Sequence, residues 1–192
     1  MKIKEIYQKK IIPYFKKKYH YQNKMAIPAI YKIIVNVGVG KNVSADPKFL
    51  EIALKEISQI TGQKPKITKS SRAISGFNLK IGAPVGLVVT LRKKRMEEFL
   101  EKLINIVLPR IRDFRGLKLK AIDKSGNLNI GIVEHTVFPE VKQDQVVKPV
   151  SLQINIVSSV ANVNEAKDLY EQYGFIFSQN WEGEELKWQK NH

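Results

Sequence analysis

The chain has 192 residues, 33 Lys and Arg against 18 Asp and Glu, a formal net charge of +15, 43% hydrophobic residues and no Cys. A globular chain of this size can bury roughly 70% of its unfolded surface, and its excess positive charge favours a polyanionic partner, nucleic acid first. The lack of Cys excludes disulfides, thiolate nucleophiles and Cys-based metal centres, and His20, His135 and His192 show no metal-ligand spacing, so no metal or cofactor is expected.

Residues 1–24 carry eight Lys and one Glu and predict an amphipathic helix over 3–18. The segment lacks the apolar core of a secretory signal and the Arg and Ser of a transit peptide, so it reads as part of the mature protein. Its basic, amphipathic character also supports an alternative reading, a protein that lies on an anionic membrane surface. Next, Ile33, Val35 and Val37 alternate with Lys32, Ile34 and Asn36, predicting a strand over 31–37. The run Val37-Gly38-Val39-Gly40-Lys41 resembles a phosphate loop at first glance, but it lacks the full glycine spacing and the Lys-Ser/Thr ending, and reads as a turn.

From Pro47, with Asp46 as a cap, Phe49, Leu50, Ala53, Leu54, Ile57 and Ile60 form one helical stripe that Gly62 ends. A basic loop without secondary structure of its own is expected over 70–84, then a strand over 85–92 with Leu87, Val89 and Leu91 opposite Val88, Thr90 and Arg92. A second core helix runs from Arg95 through Met96, Phe99, Leu100, Leu103, Ile104, Val107 and Leu108, with Pro109 stopping it. Further strands are expected at 128–132 and 152–156, a long connection at 135–149, and a helix at 164–173 closed by Gly174. Residues 178–192, with Trp181 and Trp188 among charges, read as a terminal extension.

The charge is clustered. Residues 63–95 hold nine Lys and Arg and no acid, residues 110–120 hold five with one Asp, and no Asp or Glu occurs between Glu56 and Glu97. Clustering of this kind is the electrostatic footprint of a nucleic-acid binder. The guanidinium forks of Arg110, Arg112 and Arg115 suit bidentate phosphate contacts, an Arg110 to Asp113 surface pair being the plainer alternative. No nucleophile, base and orienting group fall into a catalytic order, so the chain is not read as an enzyme. The predicted fold class is α+β: an antiparallel or mixed sheet with helices on its apolar face, a long basic loop between its second and third strands, and a polar face left free to bind. Aromatic residues do not interleave with the basic strands, which favours folded RNA over splayed single strands.

Thr61-Gly62-Gln63-Lys64-Pro65, Ser71-Arg72-Ala73-Ile74-Ser75-Gly76-Phe77, Thr90-Leu91-Arg92 and Pro109-Arg110-Ile111-Arg112-Asp113-Phe114-Arg115-Gly116 occur in that order, followed by Gly126-Asn127 and Phe138-Pro139-Glu140. Together they resemble the bacterial-type large-subunit ribosomal protein family five, the 5S-rRNA-binding protein of the central protuberance. The likeness covers residues 1–177, read as one domain. It implies that Asn36, Gln63 and Thr90 contact 5S rRNA, with Lys64, Lys66 and Arg92 added on electrostatic grounds. It implies further that the loop holding Ser71, Arg72, Gly76, Phe77 and Lys80 reaches the peptidyl-site tRNA. Arg110, Arg112 and Arg115 would meet other large-subunit rRNA or a bridge, and residues 135–148 a small-subunit head protein. The ribosome would be cytoplasmic, or alternatively organellar.

Overall fold

The computed structural model describes residues 3–77, 79–141, 146, 148–160 and 162–178. In chain order the helices are α1 (Ile3–Ile6), α2 (Ile12–Tyr19), α3 (Gly40–Ala45), α4 (Phe49–Thr61), α5 (Lys93–Lys102), α6 (Leu108–Arg110) and α7 (Val163–Tyr173). The strands are β1 (Ile30–Gly38), β2 (Lys66–Lys69), β3 (Pro84–Leu91), β4 (Leu128–Ile132) and β5 (Leu152–Ser158). They form one open five-stranded antiparallel sheet in the order β2-β3-β1-β5-β4. This is the expected α+β class. The four predicted alternations are β1, β3, β4 and β5. The fifth strand, β2, has one apolar residue, Ile67, between Lys66 and Thr68, too little for a period of two to register.

Both prolines inside helical segments sit just after a π-helical turn. Tyr7–Ile11 precedes Pro13 and Leu103–Val107 precedes Pro109. A proline has no N–H and its ring collides with the carbonyl four residues back. In each case the bonding shifts register immediately upstream: the Ile12 N–H donates to the Tyr7 carbonyl, and the Leu108 N–H to the Leu103 carbonyl. Pro109 therefore does not stop its helix, which continues as far as Arg110.

The chain divides into two compact units. The first comprises residues 1–31, 100–130 and 156–192. Here the N-terminal helix packs on α7, burying Ile3, Ile11 and Phe15. Its end is held by polar contacts: Lys18 pairs with Asp168, the Tyr19 hydroxyl donates to the same carboxylate at 2.6 Å, and Tyr21 donates to Glu165 at 3.1 Å. The apolar stripe that a membrane-surface reading requires is thus spent inside the unit. A tight turn fixes the Gly126-Asn127 motif. Asp123 Oδ1 accepts the N–H groups of Ser125 and Asn127 at 2.9 and 2.8 Å, and Gly126 adopts φ +76° with its ideal Cβ position 2.6 Å from the Val160 carbonyl oxygen. Only glycine fits there.

The second unit comprises residues 32–99 and 131–155. Phe49, Ala53, Ile57 and Ile60 of α4 are buried, and α4 packs against β3. Asp46 accepts the Lys48 N–H at 3.0 Å, and Gly62 closes the helix at φ +65°. The phosphate-loop look of residues 37–41 resolves into the end of β1 and the start of α3, with the Val39 N–H donating to the Val85 carbonyl at 3.0 Å. Residues 70–84 are not structureless. Ser70 N–H donates to Ala83 O, Ile74 and Leu79 exchange backbone bonds at 3.0 and 3.1 Å, and Ser75–Phe77 forms a 3-10 turn, making a hairpin-like finger. Residues 179–192, with Trp181 and Trp188, lie outside the described residues, as do 142–145 and 147 of the long connection.

Candidate nucleic-acid interface

The second unit carries a polar sheet face built by strand register. Asn36 of β1 stands opposite Val88 of β3, and Val88 opposite Lys66 of β2, so these three share one row and one face. Asn155 of β5 extends the row, its Oδ1 accepting the Asn36 Nδ2–H at 2.9 Å. Thr90, paired with Ile34, lies one step along the same face. Asn36, Lys66 and Thr90 are exposed because Val35, Val37, Leu87, Val89 and Leu91 take the core positions between them.

Gln63 reaches this face from the turn after α4. The buried Thr61 hydroxyl lies 3.0 Å from the Gln63 carbonyl, and the Gln63 side-chain amide donates to the Thr90 carbonyl at 3.4 Å and accepts from Arg95 at 3.2 Å. Lys64 is exposed between Gln63 and β2, and Arg92 is exposed just past the end of β3. The predicted cluster of Asn36, Gln63, Lys66 and Thr90 is therefore assembled in space, with Lys64 and Arg92 flanking it in sequence.

Ser71, Arg72, Gly76 and Lys80 are exposed on the finger, and Phe77 ends its 3-10 turn. The finger leaves from the Lys69 and Pro84 ends of β2 and β3, opposite the end that meets Gln63. At ~3.3 Å per residue, the Pro84 base of the finger lies about 13 Å from the row at Val88 and about 20 Å from Thr90. One phosphate site cannot include both.

Arg110, Arg112 and Arg115 belong to the first unit. All three are exposed, and the turn that carries them places Asp113 at φ +55° and Gly116 at φ +103°. The alternative pairing of Arg110 with Asp113 is not formed among the described residues. None of the three guanidinium groups forms an ion pair among the described residues. No group of His, Asp and Glu among the described residues could hold a metal ion, and no described helix is long and apolar enough to cross a membrane.

Sequence reasoning missed two residues of the face, Asn155 and Arg95. Asn155 had a local signal, its place on the polar side of an alternating strand, but only the strand order sets β5 beside β1. Arg95 was visible as charge at a helix start, and nothing in the sequence joins it to a glutamine 32 positions earlier.

Two family models match, that of ribosomal protein L5 over residues 23–80 and that of the C-terminus of the same ribosomal family over residues 84–177. The chain is also 46% identical over 175 residues to the large ribosomal subunit protein uL5 of Halothermothrix orenii, covering 91% of this chain and 97% of that protein. The chain belongs to the ribosomal protein L5 family. Proteins of the same name from Desulforapulum autotrophicum and Geotalea uraniireducens are 43% and 42% identical, each over at least 91% of this chain and 97% of the relative. The two matched regions include every residue placed on the sheet face and the Arg-rich turn, and the finger apart from residues 81–83. The family is one of ribosomal structural proteins and not of enzymes.

Proposed function

We propose that this chain is a constituent of the large ribosomal subunit that binds 5S rRNA through the open sheet face and helps attach it to the large-subunit rRNA of the central protuberance. The observation that carries this reading is the row Lys66, Val88, Asn36 and Asn155, with Gln63 and Thr90 beside it; four of these six residues, Gln63, Lys66, Val88 and Thr90, come from the acid-free segment between Glu56 and Glu97. Asn, Gln and Thr on a sheet offer donors and acceptors to 2′-hydroxyls and base edges, while Lys64, Lys66 and Arg92 neutralise phosphates. The finger, with Arg72 and Lys80 exposed, would meet the peptidyl-site tRNA, and residues 135–148 a small-subunit head protein. Arg110, Arg112 and Arg115 are assigned to further rRNA. Residues 1–177 form the RNA-binding body of a cytoplasmic ribosomal protein, and 178–192 an extension to it.

The test separates the two ends of the β2–β3 hairpin. Gln63→Ala and Thr90→Ala are expected to lower the preference for 5S rRNA over unrelated folded RNAs several-fold. Lys80→Ala is expected to leave 5S affinity unchanged and to weaken tRNA crosslinking in reconstituted ribosomes. Equal affinity of the wild-type chain for 5S rRNA and for unrelated RNAs overturns the reading, and loss of 5S binding in Lys80→Ala overturns the division of the surface.

A further inference from the structure

The Gln63 side chain is held at two points before any RNA arrives. Its Nε2 lies 3.4 Å from the Thr90 carbonyl and its Oε1 lies 3.2 Å from the Arg95 guanidinium, while the single Thr61 hydroxyl proton is shared between the Ile57 carbonyl at 2.7 Å and the Gln63 carbonyl at 3.0 Å. The amide orientation follows from chemistry alone. A guanidinium can only donate and a carbonyl can only accept, so Oε1 must face Arg95 and Nε2 must face Thr90. Flipping the amide would set N–H against N–H and oxygen against oxygen. One Nε2–H and one Oε1 lone pair remain, in fixed positions, for a partner.

A glutamine on an open surface otherwise samples several rotamers and both amide orientations, and ordering such a side chain on binding costs roughly tenfold in affinity. Arg95 occupies the first turn of α5, anchored by the buried Met96 and Phe99 that follow it. It is therefore a donor on a rigid element rather than on the turn that bears Gln63. Among the described cations of residues 63–95, it is the one that donates to a side chain of the sheet-face cluster. We infer that Arg95 is a positioning residue: it fixes the donor and acceptor pattern that Gln63 presents to RNA, and so sets selectivity rather than charge. This inference rests on the sheet face being the 5S rRNA surface.

A double-mutant cycle with full-length protein tests it, using 5S rRNA and an unrelated folded RNA as probes. Arg95→Met is expected to weaken 5S binding about fivefold, the worth of one lost hydrogen bond. In a Gln63→Ala background the same change should matter less than about twofold. The salt slope for 5S binding should stay unchanged in Arg95→Met. Arg95→Lys, which keeps the charge without the planar fork, should not restore selectivity. In the free protein, the Gln63 side-chain amide signals in a nitrogen–proton NMR spectrum should shift on Arg95→Met with no RNA present. Equal effects in both backgrounds, with a slope reduced by ~0.7–0.9, would identify Arg95 as a phosphate contact and overturn the inference. So would Gln63 amide signals that do not respond to Arg95→Met. A wild-type chain without preference for 5S rRNA instead defeats the underlying reading, and the amide signals still decide whether Arg95 orients Gln63.

Discussion

Tyr170 is fully buried on α7, and its hydroxyl lies 2.9 Å from the Gly126 carbonyl and 3.2 Å from that of Ile156. Burial pushes its phenol from the ordinary 10.0 up to about 12. The folded chain then keeps a proton that the unfolded chain has lost, so this contribution to stability is complete below pH ~10 and falls as pH rises toward 12. Over that window it amounts to about 3 kcal/mol. Tyr19 is raised to about 12 as well, by burial and by Asp168, but it is partly solvated and its share is smaller. Urea midpoints at pH 9 and pH 11 should therefore differ strongly in the wild type. In Tyr170→Phe they should differ much less, with about 1 kcal/mol lost at pH 9 for the missing bond. An unchanged pH dependence in that variant would remove Tyr170 as its source. In sequence Tyr170 is one more residue of an amphipathic helix, and only the fold brings it to the Gly126 turn, 44 positions away.

At the scale of elements, two kinds of information behave differently. Strand alternation and helical stripes are local, so β1, β3, β4, β5 and α4 were legible, as were the glycines that cap α4 and α7. The π turns were not, since a proline in a helical stripe is equally compatible with a stop and with a register shift. The long connection shows the same limit. His135 is completely buried, accepts the Val150 N–H on Nδ1 at 3.1 Å, and therefore carries its proton on Nε2, 3.0 Å from Glu56 of α4. It joins both ends of residues 135–150 to a core helix. His135→Ala should cost about 2–4 kcal/mol in urea unfolding, since it strands a buried N–H and a carboxylate. Glu56→Gln, which can still accept the Nε2–H, should cost less than about 1 kcal/mol. Comparable losses in the two variants would mean that the carboxylate charge, and not the bond, holds the connection.

For the molecule as a whole, the net charge of +15 resolves into separate basic segments: a polar sheet row, a finger whose base lies about 13 Å along the hairpin from it, and, in the other unit, the Lys-rich N-terminal helix and an Arg-rich turn. If each exposed cation of the sheet row neutralises one phosphate, the logarithm of 5S affinity should fall linearly with the logarithm of salt. Removing Lys64 and Lys66 together should then reduce that slope by ~1.4–1.8. Arg112→Ala with Arg115→Ala should leave the slope for isolated 5S rRNA unchanged. A slope insensitive to Lys64 and Lys66 would place the phosphate contacts elsewhere. The sequence by itself determined the fold class, the basic clusters, the absence of thiol chemistry and the ordered motifs, because each is written in residue type and short-range spacing. Tertiary structure alone decided that Asn155 adjoins Asn36 across 119 positions, that Arg95 meets Gln63, and that finger and sheet row stand apart. Strand order and register are set by which apolar faces are buried together, and no single segment contains that information.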